Sequence, residues 1–177
     1  MAVEPIEPKR RVRLWLRPYV AAHAPLIADW VGGAQDAYWL APRTPPPITA
    51  AIVSAWSGEQ TDRRVLVDEH DDSILAYGEL NLLSAVRRVY WLGHLIVDPQ
   101  RRGVGLGCRL TQLLIERAFT RYGAKRLTLV VFRENESAIR CYEAAGMRPN
   151  GWETHYFPEY KRRVRLMRMA VNASDWA

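Results

Sequence analysis

The segment Gln100–Gly107, with the sequence QRRGVGLG, constrains the fold more than any other part of the chain. It follows an apolar stretch, Val89–Val97, that predicts a strand. It opens a predicted helix over Gly103–Arg121, whose apolar residues recur at helical spacing. The strongly apolar stretch Arg126–Phe132 follows, as is typical of a central strand. A crossover of this kind is right-handed and makes its two strands parallel, so we expect a sheet that contains this parallel pair.

The other elements predicted from the sequence complete a mixed sheet. Further strands are predicted at Arg11–Arg17, Arg64–Val67, Ile74–Leu80 and Val164–Val171, and helices at Val20–Val31, Thr49–Trp56 and Ser137–Ala145. This order predicts an α/β (α+β) protein in which helices flank the sheet. A length of 177 residues fits one domain. We expect a flexible arm over residues 1–9, the domain over residues 10–172 and a tail over residues 173–177.

The glycines of the segment Gln100–Gly107 predict an anion site. Glycine permits positive φ angles and leaves room for backbone N–H groups to approach a ligand. A helix start adds unpaired N–H donors and the positive end of the helix dipole, so a phosphate or pyrophosphate fits there. The segment lacks the lysine of a Walker loop. It also lacks the glycine spacing of a dinucleotide-binding fingerprint, and no acidic residue closes the following strand.

Two motifs resemble those of GNAT-type N-acetyltransferases. Gln100, Gly103 and Gly105 fill the pyrophosphate-loop pattern of that superfamily, which is Gln or Arg, two residues, Gly, any residue, then Gly or Ala. Asn135 and Tyr142 stand in a segment that is similar to the second signature, and their spacing of two helical turns places both on one side of a helix. The resemblance is close over about residues 91–149 and rests on element order elsewhere.

The resemblance implies a fold and a donor. In similar proteins the sheet is mostly antiparallel, its central parallel strands splay apart, and acetyl-CoA enters the gap with its pantetheine arm along one strand edge. No metal is expected, because the only cysteines, Cys108 and Cys141, show no zinc-binding spacing. The residues that the resemblance assigns to acetyl-CoA are Leu95, Ile96, Val97, Gln100, Arg101, Arg102, Gly103, Val104, Gly105, Leu106, Gly107, Asn135 and Tyr142.

Attack of an amine on a thioester requires a base, donors to the carbonyl oxygen and an acid for the departing thiolate. By analogy with the superfamily, a backbone N–H near Leu95 is the oxyanion donor and Tyr142 is the acid. Some relatives carry a glutamate on the central strands, but Val89 and Val130 are apolar here. The candidate bases are therefore Glu79 and His94, with a chain of water molecules as a third alternative.

The acceptor is expected to be the primary amine of a small molecule or peptide. Its pocket is expected to lie between the aromatic residues of Asp29–Pro47 and those of the loop His155–Tyr160. The chain has 25 Lys and Arg against 19 Asp and Glu, a formal charge of +6, and such a field repels polycations. We therefore expect an acceptor with one amine and little positive charge, with a carboxylate as an option. A longer acyl donor would need a wider slot near Ala138 and Tyr142.

Other classes of protein stay open on the sequence alone. The positive charge and the aromatic residues would suit a nucleic-acid-binding protein, although no nucleic-acid-binding motif supports it and no nucleic acid is expected. A CoA-binding protein without turnover is a further alternative. We expect no membrane segment and a cytoplasmic protein, because no apolar run is long enough to span a bilayer and no secretory pattern opens the chain. A homodimer formed through the last strands is one alternative for the oligomeric state.

Overall fold

The computed structural model describes residues 13–56 and 58–176. They form a seven-stranded sheet in the order β1-β2-β3-β4-β5-β7-β6, in which only the β4–β5 pair is parallel. The strands are β1 Leu14–Pro18, β2 Thr61–Asp68, β3 Ile74–Ser84, β4 Val89–Val97, β5 Arg126–Val131, β6 Arg148–Phe157 and β7 Arg162–Asn172. The helices are α1 Ala24–Asp29, α2 Ala34–Leu40, α3 Ala50–Ala55, α4 Leu106–Tyr122 and α5 Glu136–Ala144. The predicted mixed sheet with a central parallel pair is confirmed.

Helices cover both faces of the sheet. Successive side chains of β2 alternate between these two faces. Leu66 packs into the core beneath α4, whereas Val65 and Val67 pack into a second core beneath α1 and α3. All three side chains are fully buried. A strand with both faces buried is expected to be apolar at every position. The centre of β2 has this composition.

The central parallel strands separate after three residue pairs. β4 and β5 pair only from Val89 opposite Arg126 to Trp91 opposite Thr128. A β-bulge follows on β4, because two residues, His94 and Leu95, oppose the single residue Gly78 on β3. His94 has a positive φ of 44°, which is uncommon for a residue other than glycine. The bulge and the separation open a gap between the two strands.

Helix α4 begins later than the sequence indicates. The helix predicted from Gly103 begins at Leu106, with Gly105 as its N-cap. Gly103 and Gly105 have φ values of 80° and 87°, which are incompatible with a right-handed helix. The predicted end at Gly123 is confirmed, with a left-handed φ of 58°. Thr49 is confirmed as the N-cap of α3, where its hydroxyl accepts a hydrogen bond from the Ile52 N–H at 3.3 Å.

Two elements are absent from the sequence-based prediction. Helix α2 was hidden because Gly32 and Gly33 favour a stop, whereas Gly33 in fact caps a new helix. Strand β6 was hidden because this edge strand is exposed over most of its length and contains an irregularity between Pro149 and Trp152. The prediction of a loop over His155–Tyr160 is therefore wrong for residues 155–157, which belong to β6 and pair with β7.

The ends of the chain bear on the predicted domain limits. The arm predicted over residues 1–9 lies outside the described residues. In the predicted tail, Ala173–Asp175 form a 3-10 turn, and the Trp176 ring packs on Phe119 at 5.5 Å between ring centroids. The domain limits of 10 and 172 stay a prediction. Across residues 13–56 and 58–176, no helix is both long and apolar enough to cross a membrane.

Candidate active site

The gap between the splayed strands is a cavity of about 850 Å³. Residues 91–97 of β4 form one wall, and residues 129–132 at the end of β5 form the other. It is also lined by the beginning of α4, by one side of α5, and by α2 with the loop that follows it. The cavity therefore joins the glycine segment to the aromatic segments that were expected to hold an acceptor.

The glycine segment presents open backbone to this cavity. Gly103, Gly105, Leu106 and Gly107 all line it. A Cβ atom built on Gly103 or Gly105 would meet no other atom of the described chain within 4 Å, so the positive φ angles, and not close packing, require glycine there. The start of a 17-residue helix lies directly after these glycines, and unpaired N–H groups at such a position suit an anion.

Both arginines of the glycine segment are held by contacts within the protein. Arg102 forms an ion pair with Asp36 at 3.2 Å and donates from its Nε atom to the Val97 carbonyl at 3.2 Å, so it ties the segment to α2. Arg101 lies 3.8 Å from the Asp98 carboxylate. Gln100, Arg101 and Val104 are exposed and stand apart from the described lining, which includes Arg102. The segment therefore brings to the cavity its glycine backbone and one side chain, Arg102, whose guanidinium is already paired with Asp36.

Gly107 has a second structural role. A Cβ atom there would lie 3.1 Å from the Cys141 Sγ atom and 3.4 Å from a methyl group of Val97, so glycine lets α4, α5 and β4 approach closely. Burial and the neighbouring Cys108 raise the pKa of Cys141 to about 12. Its thiol is therefore protonated at neutral pH and is a weak nucleophile.

Helix α5 brings Asn135 and Tyr142 to the same cavity wall, as their spacing predicts. The Asn135 side chain caps the helix, because its Oδ1 atom accepts a hydrogen bond from the Ala138 N–H at 3.3 Å. The Tyr142 hydroxyl forms no hydrogen bond with any residue that the structure describes, so it is available to a ligand. Burial, with a smaller contribution from Cys141, raises the pKa of Tyr142 above its ordinary value, and the phenol keeps its proton.

Glu79 and His94 meet on the β3–β4 side of the cavity. The His94 Nδ1 atom lies 3.0 Å from the Glu79 Oε2 atom, and the Tyr77 hydroxyl donates to Glu79 Oε1. Glu79 is only 2% exposed, and the Arg63 Nε atom lies 3.9 Å from its carboxylate. The His94 ring stacks on Trp56, with centroids 4.0 Å apart and planes inclined by 7°.

The two candidate bases differ in how accessible they are to a ligand. Both oxygens of Glu79 are engaged, and the carboxylate is almost fully enclosed. The His94 side chain retains 27% of its surface, and its Nδ1 atom faces Glu79, which leaves Nε2 for the cavity. The two residues therefore form one dyad, in which Glu79 orients His94 through Nδ1.

The aromatic segments predicted for the acceptor do come together. The Tyr38 ring packs against Tyr160 and Phe132, with centroids 4.5 and 4.6 Å apart. Trp39, Phe132, His155 and Phe157 line the cavity. Trp30, by contrast, is 4% exposed within the core beneath α1 and α3, which separates it from the expected acceptor pocket.

Comparisons with known proteins identify the family of this chain. A model of the acetyltransferase (GNAT) family matches residues 31–147, more than half of the chain. The chain belongs to the GNAT family of acetyltransferases. It is 31% identical to spermidine N(1)-acetyltransferase of Escherichia coli K12 over 111 residues, 61% of this chain and 59% of that enzyme. It is 36% identical to spermine/spermidine N(1)-acetyltransferase of Bacillus subtilis 168 over 61 residues, 34% of this chain and 40% of that enzyme.

Solved structures share the fold of this GNAT chain. A spermidine N-acetyltransferase from Vibrio cholerae, in complex with CoA and spermine, has a TM-score of 0.77 at 19% identity, over 92% of this chain and 96% of that one. An aminoglycoside acetyltransferase in complex with coenzyme A and kanamycin has a TM-score of 0.70 at 20% identity, over 92% and 96%. At these identities the likeness shows the fold alone. The sequence matches to the curated relatives span less than two thirds of those enzymes.

Several cavity residues of this GNAT chain were missed by the sequence-based prediction. Trp56, Asn81 and Trp91 line the wall beside the Glu79–His94 dyad, and Arg43 lines the cavity as well. Only Arg43 carries a local signal, because it lies in a proline-rich loop between predicted helices. No group of three or more His, Cys, Asp or Glu side chains within residues 13–56 and 58–176 is placed to hold a metal ion.

Proposed function

We propose that this protein transfers the acetyl group of acetyl-CoA to the primary amine of a small molecule or peptide. One observation carries the proposal: a positive-φ glycine segment at the start of α4 opens into the same cavity as the Tyr142 phenol and the His94–Glu79 dyad. An anion site, an acid and a base that share one cavity are what acetyl transfer from a CoA thioester requires.

The donor is assigned to the gap between β4 and β5. The space beside Gly103 and Gly105 suits a pyrophosphate held by backbone N–H groups. Residues 95–97 lie on the strand that diverges from β5, so their backbone can pair with an extended arm. Asn135 contributes as the α5 cap at the cavity wall. Acetyl-CoA supplies a thioester, which an uncharged amine can attack.

Tyr142 is assigned as the general acid. As the N–C bond forms and the C–S bond breaks, the sulfur carries negative charge and requires a proton. The phenol can donate that proton because burial keeps Tyr142 protonated at neutral pH. Backbone N–H groups at the β4 bulge near Leu95 are assigned to the developing oxyanion, because a bulge interrupts regular strand pairing.

His94 is assigned as the base, with Glu79 as a positioning residue. The Nε2 atom of His94 accepts the proton that the amine loses, and the Glu79 carboxylate holds the opposite nitrogen in the N–H form. Glu79 does not act directly, since Tyr77 and His94 occupy its two oxygens within the core. The stacked Trp56 ring fixes the plane of the imidazole.

The relatives that match this chain in sequence are spermidine and spermine/spermidine N(1)-acetyltransferases, which supports a small-molecule amine as the acceptor. A peptide amine, the cytoplasmic location and a homodimer stay predictions from the sequence.

Acetyl transfer is tested by free-thiol release from acetyl-CoA in the presence of spermidine, kanamycin, amino acids and a short peptide. We expect thiol release that depends on one of these amines. Acetyl-CoA binding without thiol release for any amine would favour a CoA-binding protein without turnover. Absence of acetyl-CoA binding would contradict the proposal, and salt-sensitive retention on DNA or RNA would then favour the nucleic-acid alternative.

A further inference from the structure

The carboxylates on the cavity wall are already neutralised. Asp36 forms an ion pair with Arg102 at 3.2 Å. Glu79 is buried and is bound by His94 and Tyr77, with Arg63 at 3.9 Å. Among the described lining residues, Asp36 and Glu79 are the only acidic ones. A polycation that extends through the cavity would therefore find no unpaired carboxylate for its further ammonium groups.

Arg43 lines the cavity and carries a positive charge without a carboxylate partner among the described residues. The Arg43 guanidinium donates from Nη2 to the His155 Nδ1 atom at 3.0 Å and lies 5.5 Å from the centre of the Phe157 ring. It forms no ion pair with any carboxylate in residues 13–56 and 58–176. A guanidinium has five N–H donors, so donors remain available for a ligand after the contact with His155.

The partners of Arg43 do not cancel its charge. Because Arg43 can only donate, the His155 Nδ1 atom accepts, and the ring carries its proton on Nε2. Nε2 then donates to the Glu153 Oε2 atom at 2.8 Å, and Arg168 donates to Glu153 Oε1 at 2.6 Å. The cluster Arg43–His155–Glu153–Arg168 thus contains two guanidinium groups, one carboxylate and a neutral imidazole. Its net charge is +1.

The wall beside Arg43 is apolar and aromatic. Phe157 is 1% exposed, Phe132 is 5% exposed, and both belong to the cluster that packs around Tyr38 and Trp39. A ligand group that contacts this wall is stabilised by burial and not by charge. The cavity wall at Arg43 therefore combines a guanidinium group with an aromatic surface.

We infer that the acceptor is an amine that also carries a carboxylate and an apolar or aromatic side chain, and that Arg43 binds that carboxylate. A guanidinium fork matches a carboxylate with two parallel N–H···O bonds. The aromatic wall accommodates the side chain, and the amine faces His94. The inference rests on the proposed acetyltransferase function. It separates this chain from its polyamine-acetylating relatives, because a second ammonium group would be repelled where a carboxylate is held.

The test uses pairs of amines that differ only in the carboxylate, namely tryptophan against tryptamine and phenylalanine against phenethylamine, with spermidine as the polycation. Their kcat/KM values are measured by thiol release, and their Kd values are measured by calorimetry on CoA-loaded protein. We expect each amino acid to exceed its decarboxylated partner by about tenfold to a hundredfold, the range for a hydrogen-bonded charge pair. Arg43→Gln should abolish that ratio through KM, and Arg43→Glu should reverse it.

Arg87→Gln is the matched control, because Arg87 is an exposed arginine in the β3–β4 turn and stands apart from the described cavity lining. It should leave the ratio unchanged. A preference for spermidine or for the decarboxylated amines would overturn the inference, and so would a carboxylate preference that survives in Arg43→Gln. If no amine is acetylated, the proposed function fails, and the Kd ratios on CoA-loaded protein still decide whether Arg43 binds a carboxylate.

Discussion

At the level of single residues, the proposed chemistry divides between two side chains that reach the cavity, Tyr142 and His94. The surroundings of Tyr142 favour a proton donor, and those of His94 favour a proton acceptor. Burial raises the pKa of Tyr142, which favours a proton donor. A carboxylate at Nδ1 favours the His94 tautomer whose Nε2 atom accepts a proton. Acid and base are thus assigned from their surroundings and not from residue type alone.

Replacing Tyr142 with Phe should lower kcat by about a hundredfold to ten-thousandfold, the range for loss of a general acid, with little change in KM for acetyl-CoA. Single-turnover kinetics would show that chemistry limits the rate. Tyr156→Phe is the control, because that tyrosine is exposed on β6 and stands apart from the described lining. Wild-type turnover by Tyr142→Phe would assign Tyr142 to packing.

The raised pKa of Tyr142 predicts how kcat depends on pH. An acid works only while protonated, and burial holds the pKa of Tyr142 above the ordinary tyrosine value of about 10. Activity should therefore not fall between pH 7 and about 9.5 through loss of the tyrosine proton. A kcat profile over pH 6–10 measures this. A falling limb near pH 8 that Tyr142→Phe removes would contradict the raised pKa.

Replacing His94 with Gln should lower kcat/KM for the amine at pH 7 by about a hundredfold or more, and rising pH should restore part of the rate by deprotonating the amine in solution. Glu79→Gln should also lower kcat/KM for the amine, because His94 loses the carboxylate that holds its Nδ1 atom in the N–H form. Acetyl-CoA affinity and the melting temperature report on folding. His70→Gln, in the β2–β3 turn, is the control. An unchanged kcat/KM for the amine at pH 7 in both variants would favour the chain of water molecules.

At the level of secondary structure elements, the junction between β4 and α4 determines where a ligand can bind. The β4 bulge and the late start of α4 both depart from regular structure, and both face the cavity. Regular pairing would have bonded the backbone groups to a neighbouring strand. The irregular geometry instead leaves strand edge and helix N–H groups for a ligand.

Gly105→Val should weaken acetyl-CoA binding at least tenfold, because a side chain would enter the space beside the backbone donors. The φ of 87° adds a folding penalty of about 1–2 kcal/mol. Gly151→Val is a matched control, since Gly151 has a φ of 101°, has no described atom within 4 Å of a built Cβ and lies on β6, apart from the described lining. Calorimetry and melting temperatures separate the two effects. Equal acetyl-CoA affinity in both variants would make the segment a structural turn.

At the scale of the whole molecule, ligand binding and net charge are the properties to test. Acetyl-CoA should raise the melting temperature, since a ligand at 100 times its Kd stabilises the native state by about 2.7 kcal/mol. ATP and NAD at the same concentration should shift it less, because the glycine segment lacks their binding patterns. Thermal denaturation with each ligand measures the difference. A larger shift with ATP would contradict the assignment of the donor.

The formal charge of +6 is a weaker guide to the acceptor than the charged side chains that line the cavity. Salt screens long-range fields with a Debye length of about 8 Å, whereas Arg43 would contact its ligand directly. The charge argument from the sequence and the local inference from Arg43 both disfavour polyamines, which are the acceptors in the names of the curated relatives. The preference for an acceptor of low positive charge stays a prediction.

Most of the fold could be predicted where the signal is local. The α4 crossover, the apolar β5 strand and the Thr49 cap each depend on a few consecutive residues, and each is confirmed. Helix α2 and strand β6 escaped because they lack such signals. The first follows two glycines, and the second is an edge strand with little apolar alternation. Their stability comes from tertiary contacts, which override weak local preferences.

The sequence by itself determined the glycine segment, the helix that follows it and the spacing of Asn135 from Tyr142, because backbone conformation and helical period act over neighbouring residues. Only the tertiary structure decided which side chains share the cavity. Glu79, His94 and Trp56 come from three separate elements, and Arg43 meets His155 across 112 residues of chain. Contacts between such distant residues depend on sheet order and strand register, which no local pattern encodes.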